Sequence, residues 1–308
     1  MSRIPHADPA STQRRRWLAG AALVAALPEL ASAQSTSTVI TRRIPSSGEA
    51  VPVVGLGTWI TFNVGQDPVA RDACAQVVRA FFTAGGRLID SSPMYGSSQP
   101  TIGHVLAQLG MPSTLFSAEK VWVGDVARGA AQIETSRAHW GVPRFDLMQV
   151  HNLLSWREHL PRLLAGQLRY VGISTSEGRR HAELEDIMRT QPIDFVQLTY
   201  NLLDREVEQR LLPLAQERRI AVIVNRPFRE GALLDRLSRH PLPGWAREID
   251  CDGWAQVALK FAVSHPAVTC AIPATSQVAH VRQNMGAARG RMPDAALRAR
   301  MARDVAAL

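Results

Sequence analysis

Short apolar runs alternate with amphipathic stretches along the chain from residue 52 onward. Each run is nearly continuous, which is typical of strands that are buried on both faces of a parallel sheet. The stretches between them, such as residues 69–85, place apolar residues at helical spacing. The predicted strands are residues 52–57, 87–90, 115–121, 145–151, 170–174, 194–200, 220–225 and 268–273.

This pattern predicts an α/β fold of one particular class. Eight strand–helix units in about 250 residues are expected for a (β/α)8 TIM barrel, with eight parallel strands inside a ring of helices. A doubly wound open sheet is the alternative, but eight near-continuous apolar strands favour closure. Residues 39–55 predict an N-terminal β-hairpin that turns at residues 46–48 and closes the bottom of the barrel. We expect residues 34–308 to form one barrel domain.

The first 33 residues predict an export signal that is separate from this domain. They contain the arginines at 14–16, an apolar run over 18–27, and Ala-Ser-Ala at 31–33. This order is typical of a cleavable secretory signal, and the paired arginines resemble a twin-arginine signal. The apolar run is too short to span a bilayer, which takes about 20 residues. We expect cleavage after Ala33, export by the twin-arginine machinery and a periplasmic location; a fortuitous basic N terminus is the alternative.

Composition and charge exclude several other classes of protein. Hydrophobic residues make up 46% of the chain and charged residues 20%, which is typical of globular proteins. The formal charge of +8 is scattered, so we expect no nucleic-acid partner. Cys74, Cys251 and Cys270 lack C-x-x-C spacing, which argues against a zinc or redox motif. Cys74 and Cys270 are interpreted as small buried apolar residues, and pairing of the cysteines is left open.

Reactive side chains in a parallel barrel gather at the carboxyl ends of the strands. The second, third and fourth predicted strands end near Asp90, Lys120 and His151, and Tyr95 follows Asp90 on a turn. A phenol has a reference pKa of about 10, and a neighbouring ammonium lowers it. Asp90 would keep Lys120 charged, and His151 would donate a hydrogen bond to a substrate oxygen. The four residues predict a proton donor for a carbonyl that receives hydride, although Asp90 and Lys120 alone would fit a structural ion pair.

At this point the chain resembles the aldo-keto reductases, over residues 40–290. The motifs that carry the resemblance follow in order: GLGTW (55–59), IDSSPMYG (89–96), AEKVW (118–122), QVHN (149–152), LRYVGIST (168–175), FVQLTYN (195–201) and IPATSQVAHVRQN (272–284). The family is an eight-stranded barrel that reduces aldehydes and ketones with NADPH or NADH. The resemblance implies that its catalytic tetrad is Asp90, Tyr95, Lys120 and His151 here.

The resemblance also implies a cofactor site and a substrate pocket. Ser174 and Gln197 would hold the nicotinamide carboxamide, and Trp59 and Trp122 would line the substrate pocket. Residues 55–57 lack the third glycine of a Rossmann fingerprint, so a dinucleotide is expected instead at the loops after the last two strands. Thr275 and Ser276 are suited to the N-cap of a helix whose N–H groups face an anion, and Asn284 completes the last motif.

Three departures from the family pattern affect the cofactor. Thr175 stands where many relatives have asparagine. Asn225 stands where an aromatic residue often stacks on the nicotinamide. Arg226 is the candidate substitute because a planar guanidinium can stack or bind a diphosphate. Pairing of Arg226 with Glu230 on a loop is the equally weighted alternative.

The third departure concerns the 2′-phosphate of NADPH. Ala274 and Gln277 occupy the places where many relatives have a lysine, and His280 and Arg282 remain as possible contacts. We expect NADPH in preference to NADH.

The expected function is reduction of a small carbonyl substrate by a monomeric enzyme. The alternative is a nucleotide-binding sensor or regulatory subunit that keeps the pocket without metabolic turnover. The intact tetrad favours the enzyme, because a pure binder has no need of Tyr95 next to Lys120.

Overall fold

Eight parallel strands follow one another around the centre of the computed structural model, which describes residues 38–308. The predicted export signal lies outside the described residues. Each barrel strand falls within one of the eight predicted runs. Two strands precede the barrel, β1 (Thr41–Arg43) and β2 (Ala50–Pro52). The barrel strands are β3 (Leu56–Gly57), β4 (Leu88–Asp90), β5 (Phe116–Val121), β6 (Leu147–Val150), β7 (Tyr170–Ser174), β8 (Phe195–Thr199), β9 (Ala221–Asn225) and β10 (Val268–Ala271).

The sheet of β3 to β10 closes on itself. Neighbouring strands pair in sequence order, and parallel bridges from Val54 to Ala271 and from Gly57 to Ala274 join the first strand to the last. Gly57 permits this approach because a Cβ there would lie only 2.6 Å from the carbonyl oxygen of Ile272. The prediction of a (β/α)8 barrel is therefore confirmed, and the open sheet is excluded.

The N-terminal hairpin is formed by β1 and β2, which pair antiparallel. Gly48 in its turn has φ of +76°, a conformation that glycine adopts without strain. Ile44 and Val51 are fully buried and belong to the apolar cluster inside the barrel, together with Phe116 and Phe195. The hairpin therefore closes the bottom of the barrel, as predicted.

Helices surround the barrel and cover the outer faces of its strands. Asp67 begins the first of them by accepting hydrogen bonds from the N–H groups of Val69 and Ala70. Within residues 38–308, no helix is long and apolar enough to cross a membrane. The helices are α1 (Pro68–Thr83), α2 (Ser98–Gln108), α3 (Gly129–Trp140), α4 (Trp156–Ala165), α5 (His181–Thr190), α6 (Leu211–Glu217), α7 (Ala232–Leu237), α8 (Trp254–Val263), α9 (Val278–Gly286) and α10 (Ala295–Ala306).

The three cysteines are packing residues in this fold. Cys74, Cys251 and Cys270 are all buried and none is in a disulfide. Burial raises the pKa of the Cys74 and Cys251 thiols to about 11, so both stay protonated at neutral pH. Among residues 38–308, no cluster of three or more His, Cys, Asp or Glu side chains is arranged to hold a metal ion.

Candidate active site

A buried ion pair lies at the carboxyl end of the barrel. Lys120 Nζ is 2.5 Å from Asp90 Oδ2 and 2.7 Å from the carbonyl oxygen of Ser91. The other oxygen of Asp90 accepts hydrogen bonds from the side-chain amides of Gln197 at 2.8 Å and Gln149 at 3.3 Å. The side chains of Lys120 and Asp90 are 0% and 2% exposed. Buried charges are tolerated when they are paired and hydrogen-bonded, and this pair meets both conditions.

Tyr95 is carried by the tight turn that follows β4. Its N–H donates to the carbonyl oxygen of Ser92 at 3.0 Å. The next residue, Gly96, has φ of +59°, and a Cβ there would lie 2.4 Å from Asn63 Oδ1. Glycine is therefore required both by the backbone conformation and by the close approach of Asn63.

Three buried hydroxyl groups tie this turn to the barrel. Thr58 Oγ1 donates to the carbonyl oxygen of Asp90 at 2.9 Å and accepts from Ser98 Oγ at 2.9 Å. Ser91 Oγ lies 3.0 Å from Ser98 Oγ. Ser91 of the IDSSPMYG motif is thus linked through Ser98 of α2 to Thr58, which directly follows β3.

Tyr95 meets the ion pair and His151 above the barrel. Lys120 Nζ is 5.3 Å from the centroid of the Tyr95 ring, and the His151 ring meets the Tyr95 ring edge-on with centroids 5.9 Å apart. His151 Nδ1 lies 2.9 Å from Ser174 Oγ, which fixes the orientation of the imidazole. The four residues of the predicted tetrad therefore gather at one place.

The titration behaviour of this cluster differs in one respect from the expectation. Burial raises the pKa of Tyr95 to about 12, and Lys120 opposes this without overcoming it. Lys120 lowers the pKa of Tyr95, as expected, but desolvation by burial outweighs this effect, so the net pKa lies above the reference value. Tyr95 is a neutral phenol at pH 7, with its proton available for donation.

The two neighbouring groups have defined charges as well. Burial acts to lower the pKa of Lys120, but Asp90, Tyr95 and Glu119 raise it further than burial lowers it, so Lys120 stays an ammonium. Burial, together with the charge of Lys120, holds the pKa of His151 well below its usual value. At neutral pH the cluster therefore contains a neutral imidazole, a neutral phenol and a paired ammonium.

A cavity of about 610 Å³ opens above this cluster. Asp90, Tyr95, His151 and Trp59 border it. Lys120 is fully buried behind them. The volume falls within the range of small-molecule sites, about 300–1,000 Å³.

Four of the predicted cofactor residues border the same cavity: Gln197, Arg226, Thr275 and Asn284. The others take different places. Ser174 contacts His151 Nδ1 and the Asn152 N–H. The backbone of Thr175 accepts a hydrogen bond from Asn225 Nδ2 at 2.8 Å.

The expected N-cap at Thr275 or Ser276 is wrong, because helix α9 begins at Val278 and its N-cap is Gln277. Thr275 Oγ1 instead accepts from the N–H of Gln277 at 3.1 Å and lies 3.4 Å from His280 Nδ1. Ser276 is exposed. Among residues 38–308, no side chain caps α9, so the N–H groups of its first turn have no capping partner there.

Arg226 forms ion pairs across the mouth of the cavity. Its guanidinium is 3.2 Å from Glu177, on the loop after β7, and also contacts Glu230 on its own loop. The alternative in which Arg226 pairs with Glu230 is therefore the arrangement observed. All three residues border the cavity.

The two tryptophans expected at the substrate pocket lie in different places. Trp59 borders the cavity. Trp122 is 38% exposed and lies outside the set of described residues that border it. The backbone N–H and carbonyl groups of Trp122 both form hydrogen bonds with the side chain of Gln132.

Several lining residues were not singled out from the sequence. Asn152 follows His151 in the QVHN motif and could have been found from its position after a strand. Glu177, Phe228 and Leu234 lie on loops and short helices after β7 and β9, where the sequence has no periodic signal. Gln149 does not border the cavity but binds Asp90, and it could have been found because it is a polar residue in a predicted buried strand.

Comparison with known proteins agrees with this geometry. The sequence profile of the aldo/keto reductase family matches residues 53–299. The chain belongs to the aldo/keto reductase family. It is accordingly an NAD(P)-dependent oxidoreductase.

Named relatives of this aldo/keto reductase, and a solved structure similar to it, match most of the barrel. Methylglyoxal reductase YeaE of Escherichia coli is 28% identical over 255 residues, which are 79% of this chain and 88% of that protein. The NADH-specific methylglyoxal reductase of E. coli is 25% identical over 231 residues, covering 63% of this chain and 69% of that one. The crystal structure of an aldo-keto reductase from Klebsiella pneumoniae in complex with NADPH superposes with a TM-score of 0.73 and 25% identity, over 87% of this chain and 95% of that chain.

Proposed function

We propose that this aldo/keto reductase reduces an aldehyde or ketone with a hydride from NAD(P)H, and that Tyr95 is the general acid. One observation carries the proposal: a fully buried Asp90–Lys120 ion pair backs Tyr95, which borders the cavity together with His151. When bound, the reduced nicotinamide supplies the hydride. All other steps belong to side chains of this chain.

The proton moves from the Tyr95 hydroxyl to the carbonyl oxygen as negative charge develops there. Tyr95 is a neutral phenol with a pKa of about 12, so it holds this proton at every physiological pH. Donation leaves a phenolate, which the nearby ammonium of Lys120 stabilises. Asp90 and the two glutamines that bind it keep Lys120 protonated and in place.

His151 positions the substrate. Its ring is neutral, is held by Ser174 and borders the cavity next to Tyr95. A neutral imidazole can donate one hydrogen bond to a carbonyl oxygen without competing for the proton. Tyr95 is therefore the proton donor, and His151 orients the substrate carbonyl.

The residues around the cavity fit a dinucleotide. Uncapped N–H groups at the start of α9 are suitable partners for phosphate groups, and Arg226 would become another if the phosphates displaced its Glu177 and Glu230 partners. Asn284, Gln197 and Thr275 offer side-chain hydrogen bonds within the same cavity. We propose NADPH as the preferred cofactor, with His280 as the candidate contact to the 2′-phosphate, because it lies in the first turn of α9 and borders the cavity beside Thr275.

The test is an assay of the purified protein with NADPH and NADH. The panel should contain methylglyoxal, because two curated relatives are methylglyoxal reductases, and also aliphatic and aromatic aldehydes. We expect oxidation of the cofactor with at least one of them. Tryptophan fluorescence titrations should give separate dissociation constants for NADPH and NADH. Bound nucleotide without turnover of any carbonyl would contradict the enzyme and favour the sensor.

We further propose that residues 1–33 direct export to the periplasm through the twin-arginine machinery and that the mature protein is a monomer. The three-part order of basic, apolar and Ala-Ser-Ala segments supports the first statement. Cell fractionation of the native chain and of an R14K/R15K variant tests it. We expect periplasmic protein only for the native chain. The oligomeric state is tested separately by size-exclusion chromatography, in which we expect the mature protein to elute as a monomer.

A further inference from the structure

A second buried carboxylate lies one residue from Lys120 and is not used in the mechanism above. Glu119 is 0% exposed and sits on β5, where successive side chains point to opposite faces. Its Oε1 accepts the N–H of Lys120 at 2.8 Å. Its Oε2 accepts Trp140 Nε1 at 2.8 Å and Gln99 Nε2 at 3.0 Å, so the carboxylate faces the helices.

The helices around Glu119 are packed closely and provide no salt bridge for it. A Cβ on Gly103 of α2 would lie 1.8 Å from the carbonyl oxygen of His139 in α3. Gln99 also donates to Ser136 Oγ at 2.8 Å and contacts His139 at 3.3 Å. Among residues 38–308, Glu119 makes three hydrogen bonds and no salt bridge.

Such a site is costly unless the charge has another use. An ionised carboxylate without a paired cation is strongly disfavoured in the interior. Burial raises the pKa of Glu119 to about 7, and Lys120 opposes this. A buried apolar side chain would fill the same position on a barrel strand at no electrostatic cost.

We propose that Glu119 is a positioning residue for the proton donor: from outside the barrel wall it fixes the backbone at Lys120 and adds negative charge to the Asp90–Lys120–Tyr95 cluster. The inference rests on the proposed function. Lys120, Asp90 and Tyr95 interact electrostatically with Glu119 through the barrel wall. On the helix side, the nearest titratable group is His139 of α3, which contacts Gln99.

The direction of the effect follows from the sign of the charge. A nearby negative charge favours the protonated forms of both Tyr95 and Lys120. Glu119 carries this charge above its pKa of about 7, and the Tyr95 proton is lost well above that pH, so removing the charge allows the cluster to lose its proton at lower pH. Reduction needs the protonated donor and oxidation of an alcohol needs the deprotonated form, so both pH profiles must move together.

The test is E119Q, compared with the native protein in both reaction directions. We expect the alkaline limb of kcat/KM for reduction and the rising limb for alcohol oxidation both to move to lower pH by about half a unit, which is roughly threefold in rate at a fixed pH on the limb. The dissociation constants for NADPH and NADH should stay unchanged, because Glu119 does not border the described cavity.

S136A is the matched control, because Ser136 belongs to the same hydrogen-bond network and carries no charge. We expect it to leave both pH profiles in place. If E119Q does not fold, the double variant E119Q/Q99E replaces it, because it keeps one carboxylate beside one amide at these two positions. Both limbs should then move in the same direction as expected for E119Q, but by a smaller amount. Unmoved limbs in the folded variant would overturn the inference. An inactive native protein would instead refute the proposed function, which keeps the two failures distinct.

Discussion

The two ends of the barrel carry similar side chains with different purposes. At the carboxyl end, Tyr95 lies beside Lys120 and Asp90. At the bottom, the Tyr170 hydroxyl donates to Glu49 at 2.9 Å and also hydrogen-bonds the Ser47 hydroxyl, which lies 2.6 Å away. Arg169 pairs there with Glu49 at 2.5 Å. Each end thus combines a phenol, a carboxylate and a cation.

The difference lies in burial and in what faces a cavity. The side chains of Lys120 and Asp90 are 0% and 2% exposed, whereas those of Arg169 and Glu49 are 36% and 18% exposed. Ser47 and Glu49 of the hairpin hydrogen-bond the Tyr170 hydroxyl, whereas Tyr95 borders the cavity. Residue types alone therefore do not define a site; an available proton next to a desolvated charge does.

The largest expected effect distinguishes the two phenols. Y95F removes the proton donor and should lower kcat/KM for reduction by about 10²–10⁴-fold, the usual contribution of a general acid. Y170F should leave kcat/KM unchanged and lower the free energy of unfolding by about 1–2 kcal/mol, because two hydrogen bonds to the hairpin are lost. Steady-state kinetics and urea unfolding of both variants measure this. Native activity in Y95F would refute the proposed role of Tyr95.

The second effect concerns the two cations. K120M leaves the Asp90 carboxylate buried with only amide donors, so unfolding should become easier by about 3–5 kcal/mol, with loss of reduction. R169M breaks partly exposed pairs with Glu49 and Asp146 and should cost about 1–2 kcal/mol, with activity retained. Equal losses of stability in the two variants would show that burial does not separate the two ends.

The fold and the tetrad could be predicted because they depend on local signals. Eight apolar runs mark the strands, and Asp90, Lys120 and His151 lie at or just beyond the ends of three of them, where a parallel barrel must bring them together. The hairpin followed from a turn at residues 46–48 between two extended segments. Each of these features is set within a few residues along the chain.

The rest depended on partners that are distant in sequence. Ser174 and Gln197 contact His151 and Asp90, and no spacing rule connects these positions. The pKa of Tyr95 rises because burial outweighs Lys120, a balance that only the packed structure sets. The start of α9 lies one or two residues later than expected because the Thr275 hydroxyl accepts the Gln277 N–H within the preceding turn.

The smallest effect is a difference in acid sensitivity that only the carboxyl end should produce. Because the folded pKa of His151 lies well below its unfolded value of about 6.5, the unfolded chain binds the extra proton first as pH falls. Its contribution to stability is complete above pH 6.5 and is lost on acidification, by about 1.4 kcal/mol at pH 5.5. H151Q should lack this part of the loss. His265, whose burial lowers its pKa to about 4, contributes equally to both proteins and cancels in the difference between them. Urea unfolding at both pH values measures that difference, and equal acid losses in the two proteins would mean that His151 is not held neutral in the fold.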